Sequence, residues 1–253
     1  MSGHSKWASI KHKKAAIDAK RGQLFTKIIK ELTAAARSGG GNMDTNIRLR
    51  TAVQKAKEAN MPSDNIDKAV KRGTGELPGV TYEEMMYEGY GPAGVAIMIE
   101  TVTDNKNRTT AELRNMMSKK GGNMAQAGAV SFLFQKKGFI TVAKSAIDED
   151  KLMDIVLNAG AEDMKTESDE YEITTQPADL EAVKKALADN KIPFGEAEVT
   201  MIPTTTIKIA EKNTASSLLG LMDALEEHED VQHVYANFDI PDHLMPTESE
   251  EEA

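Results

Sequence analysis

The chain has no cysteine among its 253 residues. That excludes disulfides, thiolate zinc sites, iron–sulfur clusters and a cysteine nucleophile, and it suits a reducing compartment. Aromatic residues are scarce, at 5% with a single tryptophan, which argues against a platform on which single-stranded bases stack. No apolar run approaches the ~18 residues that would span a membrane. The basic N-terminus lacks the apolar stretch of a secretory signal, and its lysine bias is not the Arg/Ser bias of a transit peptide. Five histidines are present, and none has a second ligand at a usual metal spacing. No GxSxG, SxxK or HExxH occurs, so the sequence offers no catalytic constellation and predicts a non-enzyme without cofactor or metal.

Two features invite a functional reading. Gly89-Tyr90-Gly91-Pro92-Ala93-Gly94 fits GxGxxG. A dinucleotide fingerprint must open a helix, whereas Val95-Ala96-Ile97-Met98-Ile99 reads as a strand, and no kinase triplet follows, so the glycines are read as turn chemistry. The second feature is charge. Net charge is −9 overall, yet residues 1–79 hold 16 Lys/Arg against 7 Asp/Glu, and residues 80–253 hold 15 against 33. A basic segment of this density calls for an anionic partner, and nucleic acid leads.

Periodicity divides the chain into a multidomain α+β protein. Residues 1–79 predict a basic all-helical N-terminal domain and linker. It has a thin or conditional helix over 6–20, a break allowed by Gly22, and a helix from Leu24 to Arg37 stopped by Gly39-Gly40-Gly41. A third helix follows over 44–60 with Ile47, Val53 and Ala56 inward, then a short one capped by Ser63 and stopped by Gly73. Residues 80–137 plus 203–240 predict an α/β domain formed by two chain segments. Its parts are a hairpin over 81–102, a helix opened by a capping box at Thr109–Glu112, a strand over 130–134, and returning strands near 206–209 and 231–235 that complete the sheet. Residues 138–202 follow the order β-α-β-β-α-β and predict an inserted, acidic, ferredoxin-like domain. Residues 241–253 form an acidic tail.

The candidate nucleic-acid-binding residues are His4, Lys6, Trp7, Lys11, His12, Lys13, Lys14, Lys20, Arg21, Lys27 and Lys30, extended by Arg48, Arg50 and Lys55. A second basic segment supplies Lys106, Arg108, Lys119 and Lys120. Lysines of this kind attract phosphate without reading sequence. Trp7 divides evenly between stacking on a base and packing in a core, while Phe25 lies in an apolar stripe and is read as core. The helices show no clear helix-turn-helix, which suits backbone contact better than base readout.

Gly3-His4-Ser5-Lys6-Trp7, Lys20-Arg21-Gly22 and Phe25-Thr26-Lys27 resemble the opening of the YebC family. Tyr87-Glu88-Gly89-Tyr90-Gly91-Pro92, Thr103-Asp104-Asn105 with Asn107-Arg108-Thr109, Gly121-Gly122-Asn123, Ala159-Gly160-Ala161-Glu162-Asp163 and Met201-Ile202-Pro203 extend the resemblance over essentially the whole chain. The resemblance implies a three-domain cytoplasmic protein. By family label it implies a DNA-binding transcriptional regulator; by its relation to mitochondrial translational activators it implies a ribosome- or rRNA-associated factor that relieves stalling, for example at proline runs. A protein-interaction adaptor is a further class. The sequence leaves the choice between DNA and ribosomal RNA, and the oligomeric state, open.

Overall fold

The computed structural model describes residues 19–244, without the side chains of residues 19, 20 and 242. It divides into two compact units: residues 132–205, and a main unit made of the segments before and after them. The expected helix over 6–20 and the acidic tail fall almost wholly outside the described residues.

The main unit begins with α1 (Ala19–Gly39). The helix runs through Gly22 without a break. Gly22 is exposed, its carbonyl accepts from the Thr26 hydroxyl at 3.1 Å, and one exposed glycine costs a helix only about 1 kcal/mol. Ile28, Leu32, Ala35 and Ala36 form its buried face, while Leu24 is left exposed. The Asn46 side-chain amide donates to the carbonyls of Ala35 and Gly40, both at 2.8 Å. Its oxygen accepts from the Leu49 amide at 3.0 Å. Asn46 therefore closes α1 and caps α2 (Ile47–Glu58) with one side chain.

Helix α2 buries one face. Leu49, Ala52, Val53 and Ala56 turn inward, and Ile47, expected in the core, is 57% exposed. Helix α3 (Ser63–Gly73) starts on Ser63 with Pro62 at the cap and no side-chain cap bond, so Ser63 is the first helical residue rather than the cap. A Cβ on Gly73 would stand 2.5 Å from the Thr33 carbonyl oxygen. Only glycine lets α3 approach α1 so closely.

The sheet of the main unit has the order β3-β1-β2-β9. Strands β1 (Glu83–Tyr90) and β2 (Ala96–Thr103) form an antiparallel hairpin in register from Glu83↔Thr103 to Tyr90↔Ala96. Its connection, Pro92–Gly94, holds Ala93 at φ 58 and Gly94 at φ 75. This is the turn that the GxGxxG glycines serve. Strand β3 (Asn123–Met124) flanks β1, and β9 (Val231–Ala236) flanks β2. Helices α4 (Lys106–Lys119) and α7 (Lys212–Glu227) contribute Leu113, Met117, Leu218, Leu221 and Leu225 to one core with Ile97, Ile99 and Val234.

Three expectations change here. Helix α4 is capped by Asn105, whose side chain accepts from the Arg108 amide, so Thr109 lies inside the helix and opens no capping box. Residues 131–133 form a 3₁₀ turn with Phe132 72% exposed, not a strand. The amides of Gly128, Val130 and Ser131, which a ladder would need, donate instead to Glu88. Strand β8 (Ile207–Lys208) pairs in parallel with β10 (Phe238–Asp239) as a separate two-stranded sheet, so only β9 returns to the sheet begun near residue 81.

The inserted unit holds β4 (Phe134–Ala143), α5 (Glu149–Asn158), β5 (Ala161–Thr166), β6 (Glu170–Thr175), α6 (Leu180–Asp189) and β7 (Ala197–Pro203). Its sheet order is β5-β6-β4-β7, with every pair antiparallel. Its core joins Ile140, Val142, Leu152, Val156, Ile173, Val183 and Leu187.

Candidate nucleic-acid interface

Helix α1 carries basic residues on more than one face, and the faces differ in what they meet. The Arg21 guanidinium is exposed and lies 5.4 Å above the Phe25 ring. Lys27 donates to the Glu226 carbonyl at the end of α7. Lys30 is 5% exposed. Its ammonium sits 2.5 Å from the Asp230 carboxylate and 3.2 Å from the Glu229 carbonyl. Lys30 therefore offers no free charge to a phosphate.

Asp230 is itself wholly buried and gathers donors from four directions. Besides Lys30 it accepts from Arg108 at 2.9 Å, from the Thr109 hydroxyl at 2.7 Å and from the Thr103 hydroxyl at 3.2 Å. Burial alone would raise its pKa. The bonds from Lys30, Arg108 and Thr109 outweigh burial and hold it down at about 2. Arg108 also pairs with Asp104 at 2.9 Å. So Arg108, expected at the nucleic-acid surface, braces the carboxylate in which the fold converges. Arg48 behaves similarly. It makes a two-pronged contact to Glu31 at 2.7 and 2.9 Å and reaches Glu84 at 2.8 Å. These hydrogen bonds, that to Glu31 foremost, push the guanidinium pKa further up despite burial.

The remaining candidates spread over the surface. Arg50 is exposed with a long contact to the Met43 carbonyl, and Lys55 is exposed with a partner of its own. Lys106 opens α4 and Lys119 ends it, with Lys120 at its cap; all three are exposed. At 1.5 Å per residue the two ends stand about 20 Å apart, so α4 presents two basic points rather than one cluster. Lys119 and Lys120 also complement the helix dipole. His4, Lys6, Trp7, Lys11, His12, Lys13 and Lys14 lie outside the described residues, as does the Lys20 side chain.

Glu112, His228 and Asp230 place three potential ligand atoms within 4.8 Å of one another. His228 Nδ1 accepts the Asp230 amide at 3.1 Å, which assigns its proton to Nε2, 2.9 Å from Glu112. The cations at Asp230 are already Lys30 and Arg108. The donor set is thus that of a hydrogen-bonded ion cluster and does not suit a divalent metal. Sequence reasoning missed Asp230, Thr103, Thr109 and His228. Asp230 sits in the run Glu227-His228-Glu229-Asp230, where nothing distinguishes a buried carboxylate from its solvated neighbours. Among the described residues no helix is long and apolar enough to cross a membrane.

Comparison with known proteins adds the family context. Residues 5–76 match the "TACO1/YebC protein N-terminal domain", and residues 82–238 match the "TACO1/YebC second and third domain". A protein of Persephonella marina, named "Probable transcriptional regulatory protein", is 56% identical over 97% of this chain and 98% of its own. A protein of Endomicrobium trichonymphae with the same name is 57% identical over 95% of this chain and 96% of its own. The crystal structure of a conserved hypothetical protein from Aquifex aeolicus superposes with a TM-score of 0.83 at 46% identity, covering 96% of this chain and all of the other.

Proposed function

The chain belongs to the TACO1/YebC family, and from that premise we propose that it is a cytoplasmic, non-enzymatic regulator of gene expression that binds nucleic acid through its basic N-terminal part. The names of its relatives support the regulator reading. The observation that carries nucleic-acid binding is the division of charge: 16 Lys/Arg against 7 Asp/Glu in residues 1–79 of a chain that is acidic elsewhere. With Lys27, Lys30, Arg48 and Arg108 engaged inside the fold, the footprint rests on residues 4–21, Arg50, Lys55 and the two ends of α4. We read residues 1–79 as the binding domain and linker, residues 80–137 with 203–240 as the body that carries it, and residues 138–202 as an inserted ferredoxin-like module.

DNA is the target that the relatives' names favour. A second reading, association with ribosomal RNA on the ribosome, is favoured by the acidity of the remainder. Residues 80–253 hold 33 Asp/Glu against 15 Lys/Arg and would be repelled by bare duplex. Around Glu170, burial and the neighbouring carboxylates of Glu196, Asp169 and Glu167 are enough to raise its pKa. Such a surface complements a basic protein face. The test is co-sedimentation with ribosomes at physiological salt beside titration of duplex DNA. Ribosome binding with weak, salt-sensitive DNA binding supports the second reading, binding to duplex alone supports the first, and binding to neither removes both.

A further inference from the structure

The apolar core of α1–α3 and that of the sheet are separate clusters. The first joins Ile28, Leu32, Leu49, Val53, Ile66 and their neighbours; the second joins Ile97, Ile99, Leu113, Leu218 and theirs. Among the described residues the two buried clusters share no member. Polar contacts cross the joint: Lys27 to the Glu226 carbonyl, Lys30 to Asp230 and the Glu229 carbonyl, Arg37 to the Tyr82 carbonyl at 3.2 Å, and Arg48 to Glu84. Of these, only the Lys30–Asp230 pair is buried on both sides. Lysine is almost never fully buried unless paired. A buried ion pair contributes little net stability compared with an apolar replacement, while removal of one partner alone is costly.

We propose that Asp230 is the positioning residue of this joint. Through Lys30 it latches α1 onto the sheet in one orientation, and so fixes the direction in which α1 carries the basic segment that precedes it. Arg108, Thr109 and Thr103 hold the carboxylate from the sheet side, so the latch has one movable partner, Lys30, and three fixed ones. The chain from Gly73 to Gly79, with Gly75 at φ +83, is the covalent tether about which the helices turn when the latch opens. A polar joint of this kind allows relative motion by default, and the latch restrains it. The consequence for binding rests on the nucleic-acid reading above; the latch itself does not.

The absence of cysteine makes a distance measurement clean. Spin labels on Gln23→Cys in α1 and Ser118→Cys in α4, both exposed positions, report the joint in the full chain by pulsed electron resonance. A single narrow distance is expected in the parent. Asp230→Asn and Lys30→Met should each broaden it, with helix content retained and affinity for duplex DNA or ribosomes reduced several-fold. Lys30→Met leaves Asp230 with Arg108, Thr109 and Thr103, so it reads the latch even where Asp230→Asn does not fold. A distribution that stays narrow in Lys30→Met overturns the proposal. So does broadening with undiminished affinity in a parent that binds. A parent that binds no nucleic acid removes the functional reading instead, and the distance distributions still judge the latch.

Discussion

The Glu88 carboxylate accepts the backbone amide of Val130 at 2.6 Å. The same side chain takes the amides of Ser131 at 2.9 Å and Gly128 at 2.7 Å, and it is 6% exposed. A strand residue thereby folds the loop that leads into the inserted unit. Burial pushes the Glu88 pKa up, but the amides of Val130, Gly128 and Ser131 outweigh burial and leave it below the usual carboxylate value. A depressed folded pKa contributes stability above the unfolded pKa, and that stability is lost as pH falls through the folded value. Glu88→Gln replaces one acceptor oxygen by a donor that would face an N–H. The loop should open more readily by about 1–3 kcal/mol. Amide exchange at Gly128, Val130 and Ser131 reads this directly, and unchanged protection would remove the loop-organising role.

Asp230 predicts a second acid response. Its folded pKa of about 2 lies below the ordinary value of 3.8, so ionised Asp230 favours the folded state by about 2 kcal/mol more than its protonated form does. That contribution is full above about pH 5 and fades as pH falls towards about 2. Asp230→Asn should lower the melting temperature at pH 7 and flatten the acid limb of the stability profile. A variant whose melting temperature falls in parallel with the parent across that range would show that the acid response lies elsewhere.

The sequence and the fold agree where the signal is local and repeated. The βαββαβ order of residues 134–203 was readable because each element carries its own period and its own stop. Examples are Asp148 before α5, Gly160 after it and the apolar Ile140 and Val142 in β4. Within the helical part, the stripe of α1 was visible but its burial was not uniform. Leu24 belongs to the pattern and is exposed, because burial depends on where α2 and α3 land. Ile47 failed for a similar reason, since it lies on the opposite side of α2 from Leu49, Ala52, Val53 and Ala56, the face that meets the other helices.

The candidate interface was less legible than the fold. Charge predicts that an anion is wanted, but not which lysines face it. Lys27 and Lys30 look like their solvated neighbours in sequence, yet the end of α7 and Asp230, about 200 residues further on, turn them inward. Thr109 fits a capping box in sequence and meets a buried carboxylate in space. Such pairings are long-range, and no local spacing encodes them.

Arg48 separates structural charge from binding charge. It joins Glu31 in α1 to Glu84 in β1 while about a third exposed. Arg48→Ala should therefore destabilise the fold by about 1 kcal/mol, at the upper end for exposed pairs because the contact to Glu31 is two-pronged. It should leave the salt dependence of nucleic-acid binding unaltered. Chemical denaturation and a salt titration on the same variant decide the point, and a shallower slope with unchanged stability would return Arg48 to the footprint.

The opposite behaviour is expected of the lysines that precede α1. Each phosphate neutralised on duplex DNA releases condensed counterions and contributes about −0.9 to the slope of log K against log salt. If Lys11, Lys13 and Lys14 each contact a phosphate, replacing all three by Ala should flatten the slope by about 2.7. Affinity should fall most at low salt, because the lost term is the one that salt screens. Melting temperature should hold, since among the described residues the helical core is built from Phe25 and Ile28 onward and the three replaced side chains are charged. The measurement is a filter-binding or anisotropy titration at several salt concentrations. An unchanged slope would place the footprint elsewhere, and the exposed ends of α4, Lys106 on one side and Lys119 with Lys120 on the other, would be the next residues to replace. A changed slope on ribosomes but not on duplex would instead assign the same lysines to ribosomal RNA.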